Sequence, residues 1–147
     1  AASDVYKRQI PLLVSFIPML MDTGGNCGSQ SSTLIIRGIA LGEIRFSDLF
    51  RVMFKEFRVS LIVGVVLALA NGLRILIMYR NAGLALVIGL SLVATVIISK
   101  LIGCLLPLFA KKLHMDPAIM ASPLITTLVD TCSILIYFNI ATRIFQL

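Results

Sequence analysis

The sequence predicts an all-α integral membrane bundle, with about four transmembrane helices plus one amphipathic helix at the interface. Two observations carry this. First, 59% of the 147 residues are hydrophobic and 14% are charged, whereas soluble domains run about 45–50% apolar and about 25% charged. A chain of this length cannot hide so much apolar surface from water, so its solvent is the bilayer. Second, the apolar residues fall into about four segments that each reach the roughly 20 residues needed to span. Short polar or basic breaks separate them, leaving no room for a separate soluble domain. The formal charge of +6 fits Lys- and Arg-rich loops beside anionic lipid, not a nucleic-acid partner.

The elements follow in order. Residues 1–9 do not match the rest and are read as a leader or an appended scar, outside the fold. The first span runs from Ile10 to about Ala40. Its middle, Asp22-Thr23-Gly24-Gly25-Asn26-Cys27-Gly28-Ser29-Gln30-Ser31-Ser32-Thr33, is polar and glycine-rich, which membrane depth tolerates only against protein or water. From Arg37 to Arg58 charges alternate with Phe46, Leu49, Phe50, Met53, Phe54 and Phe57. That helical spacing predicts an amphipathic helix on the membrane surface. Val59–Tyr79 is the second span, Arg80-Asn81-Ala82-Gly83 a turn, and Leu84 to about Phe109 the third span. Lys111-Lys112-Leu113-His114-Met115 is a basic loop, and Asp116-Pro117 opens the last helix as N-cap and first-turn proline. That helix runs to about Arg143. The two basic loops share one side, which is therefore cytoplasmic. The cysteines Cys27, Cys104 and Cys132 are packing residues without metal-ligand spacing, and His114 has no second ligand nearby.

Two aspartates lie at depth. Asp130 is about 20 Å into the last span at 1.5 Å per residue, and Asp22 is similarly deep in the first. An ionisable residue there marks a path for ions or substrate. Ser122, Thr126, Asp130 and Ser133 follow at intervals of four, four and three, and so share a helical face. Asp22, Asn26, Ser29 and Thr33 do the same on the first span, and Arg37 continues that stripe. Gly24, Gly25 and Gly28 bring backbone close to the path or serve close helix packing. Pro123 has no N–H for the Ile119 carbonyl, which either faces the path and binds water or only marks a kink. Arg74 either snorkels to the outer interface or neutralises Asp22.

These residues resemble a known family. Pro18 to Thr33, continued by Arg37 to Glu43, is similar to the signature of the second membrane helix of MgtE magnesium channels. Asp116-Pro117-Ala118-Ile119-Met120-Ala121-Ser122-Pro123-Leu124 and Thr126-Thr127-Leu128-Val129-Asp130 resemble the fifth. The likeness covers about residue 10 to the C-terminus, with Cys27 where a small residue such as alanine is expected. The resemblance implies a pore domain over 10–147, lacking the family's cytosolic acidic and CBS domains and its first membrane helix. It further implies a multi-pass protein of the plasma or inner membrane and a homodimeric pore lined by the first and last spans. The position of Asp130 would then bind hydrated Mg²⁺, with Ser122, Thr126 and Ile119 supplying oxygen atoms to its water. Asp22, Gly24, Gly25, Asn26, Gly28, Ser29, Thr33, Pro123 and Ser133 would line the pore. Because Mg²⁺ dehydrates reluctantly, such a site is wide and holds the ion through its waters.

Two other classes fit the residues. One is a secondary divalent-cation transporter in which Asp22 or Asp130 carries a proton. The other is a non-conducting membrane assembly module whose glycines and aspartates only pack helices. Mn²⁺, Co²⁺ and Ca²⁺ stand beside Mg²⁺ as the transported ion, and no enzymatic constellation is present.

Overall fold

The computed structural model describes residues 10–146, with the side chain of Ser122 left out. A short helical stretch, α1 (residues 10–15), leads through Phe16 into α2, Ile17–Ala40. Helices α3 (Leu49–Tyr79), α4 (Ala82–Lys112) and α5 (Ser122–Phe145) complete the bundle, and the described residues contain no strand. Among them, Phe46–Tyr79, Ala82–Lys112 and Pro123–Phe145 are long and apolar enough to cross a membrane. Helix α2, with 24 residues and about 36 Å, is long enough to span, but its polar middle makes it less apolar.

The contacts fix the directions of the helices. Gly24 faces Thr95 and Gly28 faces Ser99, so α2 and α4 run parallel. Gly64 faces Val93 while Gly89 faces Ala68, so α3 is antiparallel to α4. Gly24 meets Val129 and Ser133 while Gly28 meets Ile125, so α5 is antiparallel to α2. Helix α4 packs on all three others and is the centre of the bundle. Two apolar clusters occupy its ends. One joins Leu13, Phe16, Leu20, Ile75, Leu84, Ile88, Leu92 and Tyr137, and the buried Tyr137 hydroxyl donates to the Leu13 carbonyl at 2.6 Å. The other joins Ile35, Ile39, Val52, Cys104 and Leu108. Between them lies a buried polar layer that includes Ser31, Glu56, Ser60, Thr95, Ser99 and Lys100.

Local chemistry ends each helix. Gly42, at φ 73°, reverses the chain after α2, letting the Glu43 N–H reach the Gly38 carbonyl at 2.9 Å; glycine adopts this left-handed geometry without a Cβ penalty. Asn81 caps α4, its side-chain oxygen accepting the Leu84 N–H at 3.1 Å.

Two expectations need correction. The amphipathic stretch is not a separate interfacial helix: after a 3-10 turn at Phe46–Asp48, α3 runs unbroken for 31 residues. The segment has no proline at the Arg58–Val59 join, so nothing stops the helix. At about 46 Å it exceeds a hydrocarbon core of about 30 Å, so its first turns belong to the headgroup zone. Phe50 and Phe54 are exposed there, but Glu56 is buried. Nor does the last helix begin at Pro117. Asp116 caps a 3-10 turn, Pro117–Met120, by accepting the Ala118 N–H at 3.0 Å. The chain is extended at Ala121, and α5 starts at Ser122 with Pro123 in its first turn. Pro123 therefore interrupts no helical bond, and Ile119 lies outside the helix.

Candidate ion-binding site

Each face of α2 has a distinct job. A Cβ at Gly24 would lie 2.8 Å from Thr95 Cγ2 and Val129 Cγ1, and one at Gly28 would lie 2.8 Å from Ile125 Cγ2. Only residues without a side chain let α2 approach α4 and α5 this closely. Gly24 and Gly28 are thus turned into the bundle. About 100° away per residue, Asp22, Asn26 and Thr33 lie on the exposed side, with Ser29 half-buried. Gly25 sits at the edge between the two faces. A Cβ there would meet Thr126 Cγ2 at 3.2 Å and Asp130 Oδ1 at 4.0 Å.

The result is an open cleft of about 280 Å³ between α2 and α5, lined by Met21, Asp22, Gly25, Asn26, Thr126 and Asp130. The Thr126 hydroxyl donates to the Pro123 carbonyl at 3.0 Å, and Thr127 donates to the same oxygen at 2.8 Å. Thr126 keeps its oxygen lone pairs for a further donor such as water. Two carboxylates, an amide and a hydroxyl are hard oxygen donors, suited to Mg²⁺, Ca²⁺ or Mn²⁺ rather than to thiophilic metals. Among the described residues no three His, Cys, Asp or Glu gather into one ligand set; the cleft offers two carboxylates. Six waters at about 30 Å³ each occupy about 180 Å³, which the cleft accommodates.

The comparisons with known proteins agree with this chemistry. The family profile of MgtE, described as divalent cation transporter, matches residues 17–140. This chain belongs to the MgtE family. It is 41% identical over 135 residues to the magnesium transporter MgtE of Bacillus subtilis, covering 92% of this chain and 30% of the relative. The Thermus thermophilus magnesium transporter MgtE is 37% identical over 139 residues, 93% of this chain and 30% of the relative. That of Enterococcus faecalis is 35% identical over 131 residues, 89% of this chain and 29% of the relative. The chain thus spans about 30% of the length of these MgtE relatives.

The structure brings together part of the expected MgtE pore set. Asp22, Gly25, Asn26, Thr126 and Asp130 share the cleft. Ser29 and Thr33 continue the same side of α2 beyond it, the Thr33 hydroxyl donating to the Ser29 carbonyl at 2.9 Å. Gly24, Gly28 and Ser133 depart from the expectation. Ser133 is 1% exposed and faces Gly24 inside the bundle, because three residues after Asp130 the helix has turned past the cleft. Ile119 lies in the 3-10 turn, outside the cleft lining. The side chain of Ser122 lies outside the described residues. Among the described residues Arg74 makes no ion pair with Asp22; it is exposed on α3.

Sequence reasoning missed Met21, which lines the cleft, and the buried Lys100 and Glu56. For Lys100 a signal exists. It is a lone cation within an apolar span, next to a stripe of Ser91, Thr95 and Ser99.

Proposed function

We propose that this chain is the membrane pore region of a magnesium channel, passing hydrated Mg²⁺ between two copies of itself. The observation that carries the reading is the α2–α5 cleft, which sets Asp22 and Asn26 beside Thr126 and Asp130 on the outside of an apolar bundle. Lipid cannot solvate such a face. A second copy, related by a twofold axis along the membrane normal, covers it and brings two Asp130 carboxylates toward one divalent ion. The printed names of the relatives, magnesium transporters, support Mg²⁺ as the cargo. Their work is transport, and on this reading the chain is no enzyme.

The sidedness follows from charge. Arg37, Arg45, Arg51, Lys55, Arg58, Lys111 and Lys112 gather at one end of the bundle, against Arg74, Arg80 and Arg143 toward the other. The basic end is cytoplasmic in the plasma or inner membrane. Selectivity comes from fitting the hydrate, while the paired charges favour divalent over monovalent ions.

The test is uptake by liposomes holding the chain. The reading expects Mg²⁺ flux that is unchanged when a pH gradient is imposed or collapsed, and that is lost in Asp130→Ala. Flux that follows the pH gradient assigns the chain to proton-coupled transport instead. A chain that neither conducts nor binds Mg²⁺ is an assembly module, and the proposal fails.

A further inference from the structure

The buried polar layer contains a network that the ion path does not itself use. Lys100 of α4 and Glu56 of α3 have side chains only 3% and 8% exposed, with Nζ 3.9 Å from Oε2. Ser31 of α2 sits between them. Its hydroxyl donates to Glu56 Oε2 at 2.7 Å and accepts from Lys100 Nζ at 3.3 Å. The same ammonium donates to Gln30 Oε1 at 3.3 Å. Three helices thus meet at one buried cation.

The two α2 residues held are adjacent, and so about 100° apart around the helix axis. Gripping both fixes the rotation of α2, not merely its distance from α4. Gln30 is also exposed and follows Asn26 by four residues and precedes Thr33 by three, which places it on the stripe that continues the cleft. Beside this grip, Gly103 of α4 lies against the Gly28 backbone and the Ser31 side chain, so the two helices are in close contact where the clamp acts. A buried ion pair adds little net stability over an apolar packing of the same volume. Its presence here is better accounted for by what it fixes.

We propose that Lys100 and Glu56 are positioning residues for the ion pathway: as a clamp on Gln30 and Ser31, they set the rotation of α2 that aims Asp22 and Asn26 at Asp130. This rests on the pore reading above. Groups that orient ion-binding residues from behind typically change metal affinity by about 10–100-fold when removed.

The experiment uses the full chain in lipid nanodiscs, with Mg²⁺ alone as the probe, measuring unfolding temperature and Mg²⁺ affinity separately. Lys100→Met by itself strands a buried carboxylate and is expected to unfold easily. The informative variant therefore combines Glu56→Gln with Lys100→Met, removing both charges at similar volume. Without Mg²⁺ it is expected to unfold close to the wild-type temperature, and its Mg²⁺ affinity is expected to fall about tenfold or more. Exchanging the pair, Glu56→Lys with Lys100→Glu, rebuilds the bonds to Ser31 and Gln30 and is expected to restore most of the affinity. Should the neutral pair not fold, Ser31→Ala carries the test, since it cuts the bridging hydroxyl and keeps both charges; its affinity is expected to fall at least about threefold. Wild-type affinity in a folded neutral pair, or in Ser31→Ala where that carries the test, overturns the clamp alone. A wild-type chain that takes up no Mg²⁺ overturns the clamp and the pore reading together.

Discussion

Gly103→Ala places a methyl group where the structure has no room for one. The added Cβ would run into the Gly28 carbonyl oxygen and lie 3.1 Å from its carbon and 3.2 Å from Ser31 Cβ. Backbone cannot swing aside as a side-chain end can, so the helices must separate. Overpacking of this kind costs about 1–3 kcal/mol, and a backbone obstacle puts this case at the upper end. Replacing a helical glycine by alanine returns up to about 1 kcal/mol of propensity. The net expectation is a loss of about 2 kcal/mol. Gly89→Ala on the same helix is the control. Its Cβ would meet Ala68 at 3.8 and 3.9 Å, ordinary contact, so it should gain about 0.5–1 kcal/mol. Reversible unfolding in mixed micelles, followed by helical circular dichroism, measures both. Gly103→Ala as stable as the wild type would refute the close α2–α4 crossing, and with it the placement of the polar face of α2.

Three further outcomes follow from the same coordinates. Tyr137→Phe removes one of two donors to the Leu13 carbonyl, which keeps the Phe16 N–H at 3.3 Å, and should cost about 0.5–1.5 kcal/mol in the same unfolding assay. Gly25→Ala pushes a methyl against Thr126 at the cleft edge; it should weaken Mg²⁺-dependent stabilisation while leaving the ion-free unfolding temperature within a few degrees. Asp130→Cys should crosslink two chains under mild oxidation in membranes if the twofold pore forms, whereas persistent monomers in mild detergent count against it.

Much of the bundle was legible in the sequence because its cause is local. Apolar segment lengths set the spans, and Arg80-Asn81-Ala82-Gly83 reads as the break between α3 and α4. The start of α5 was not legible. Asp116-Pro117 and Ser122-Pro123 are both helix-opening pairs, and a long-range tie accompanies the outcome: the Ser32 hydroxyl of α2 donates to the Met120 carbonyl at 2.6 Å, anchoring the turn apart from the helix. In the segment from Arg37 to Arg58, spacing shows an amphipathic face but not whether the helix ends there.

The candidate site divides the same way. Asp22, Asn26, Thr126 and Asp130 carry side chains whose periodicity declares a shared face, and the fold joins those faces in one cleft. Glycine declares no face by itself. The inward turn of Gly24 and Gly28 is set by Thr95, Ile125 and Val129 on other helices. Glu56 looked like one more charge on a solvated surface; only the three-helix meeting with Ser31 and Lys100 makes it interior. Non-local pairings of this kind leave little trace in either residue's neighbourhood.

On the pore reading the ion rests in the α2–α5 cleft through its own waters. The direct measurement is a crystal of the chain soaked with Mn²⁺ and mapped by anomalous scattering, followed by a high-resolution map with Mg²⁺. An anomalous peak is expected in the cleft beside Asp130, with Mg²⁺ about 4 Å or more from the carboxylate oxygens, one water layer beyond the direct bond of about 2.0–2.1 Å. A peak elsewhere in the molecule, or none in the cleft at saturating ion, would contradict the site. Mg²⁺ bonded directly to Asp130 would contradict passage as a hydrate.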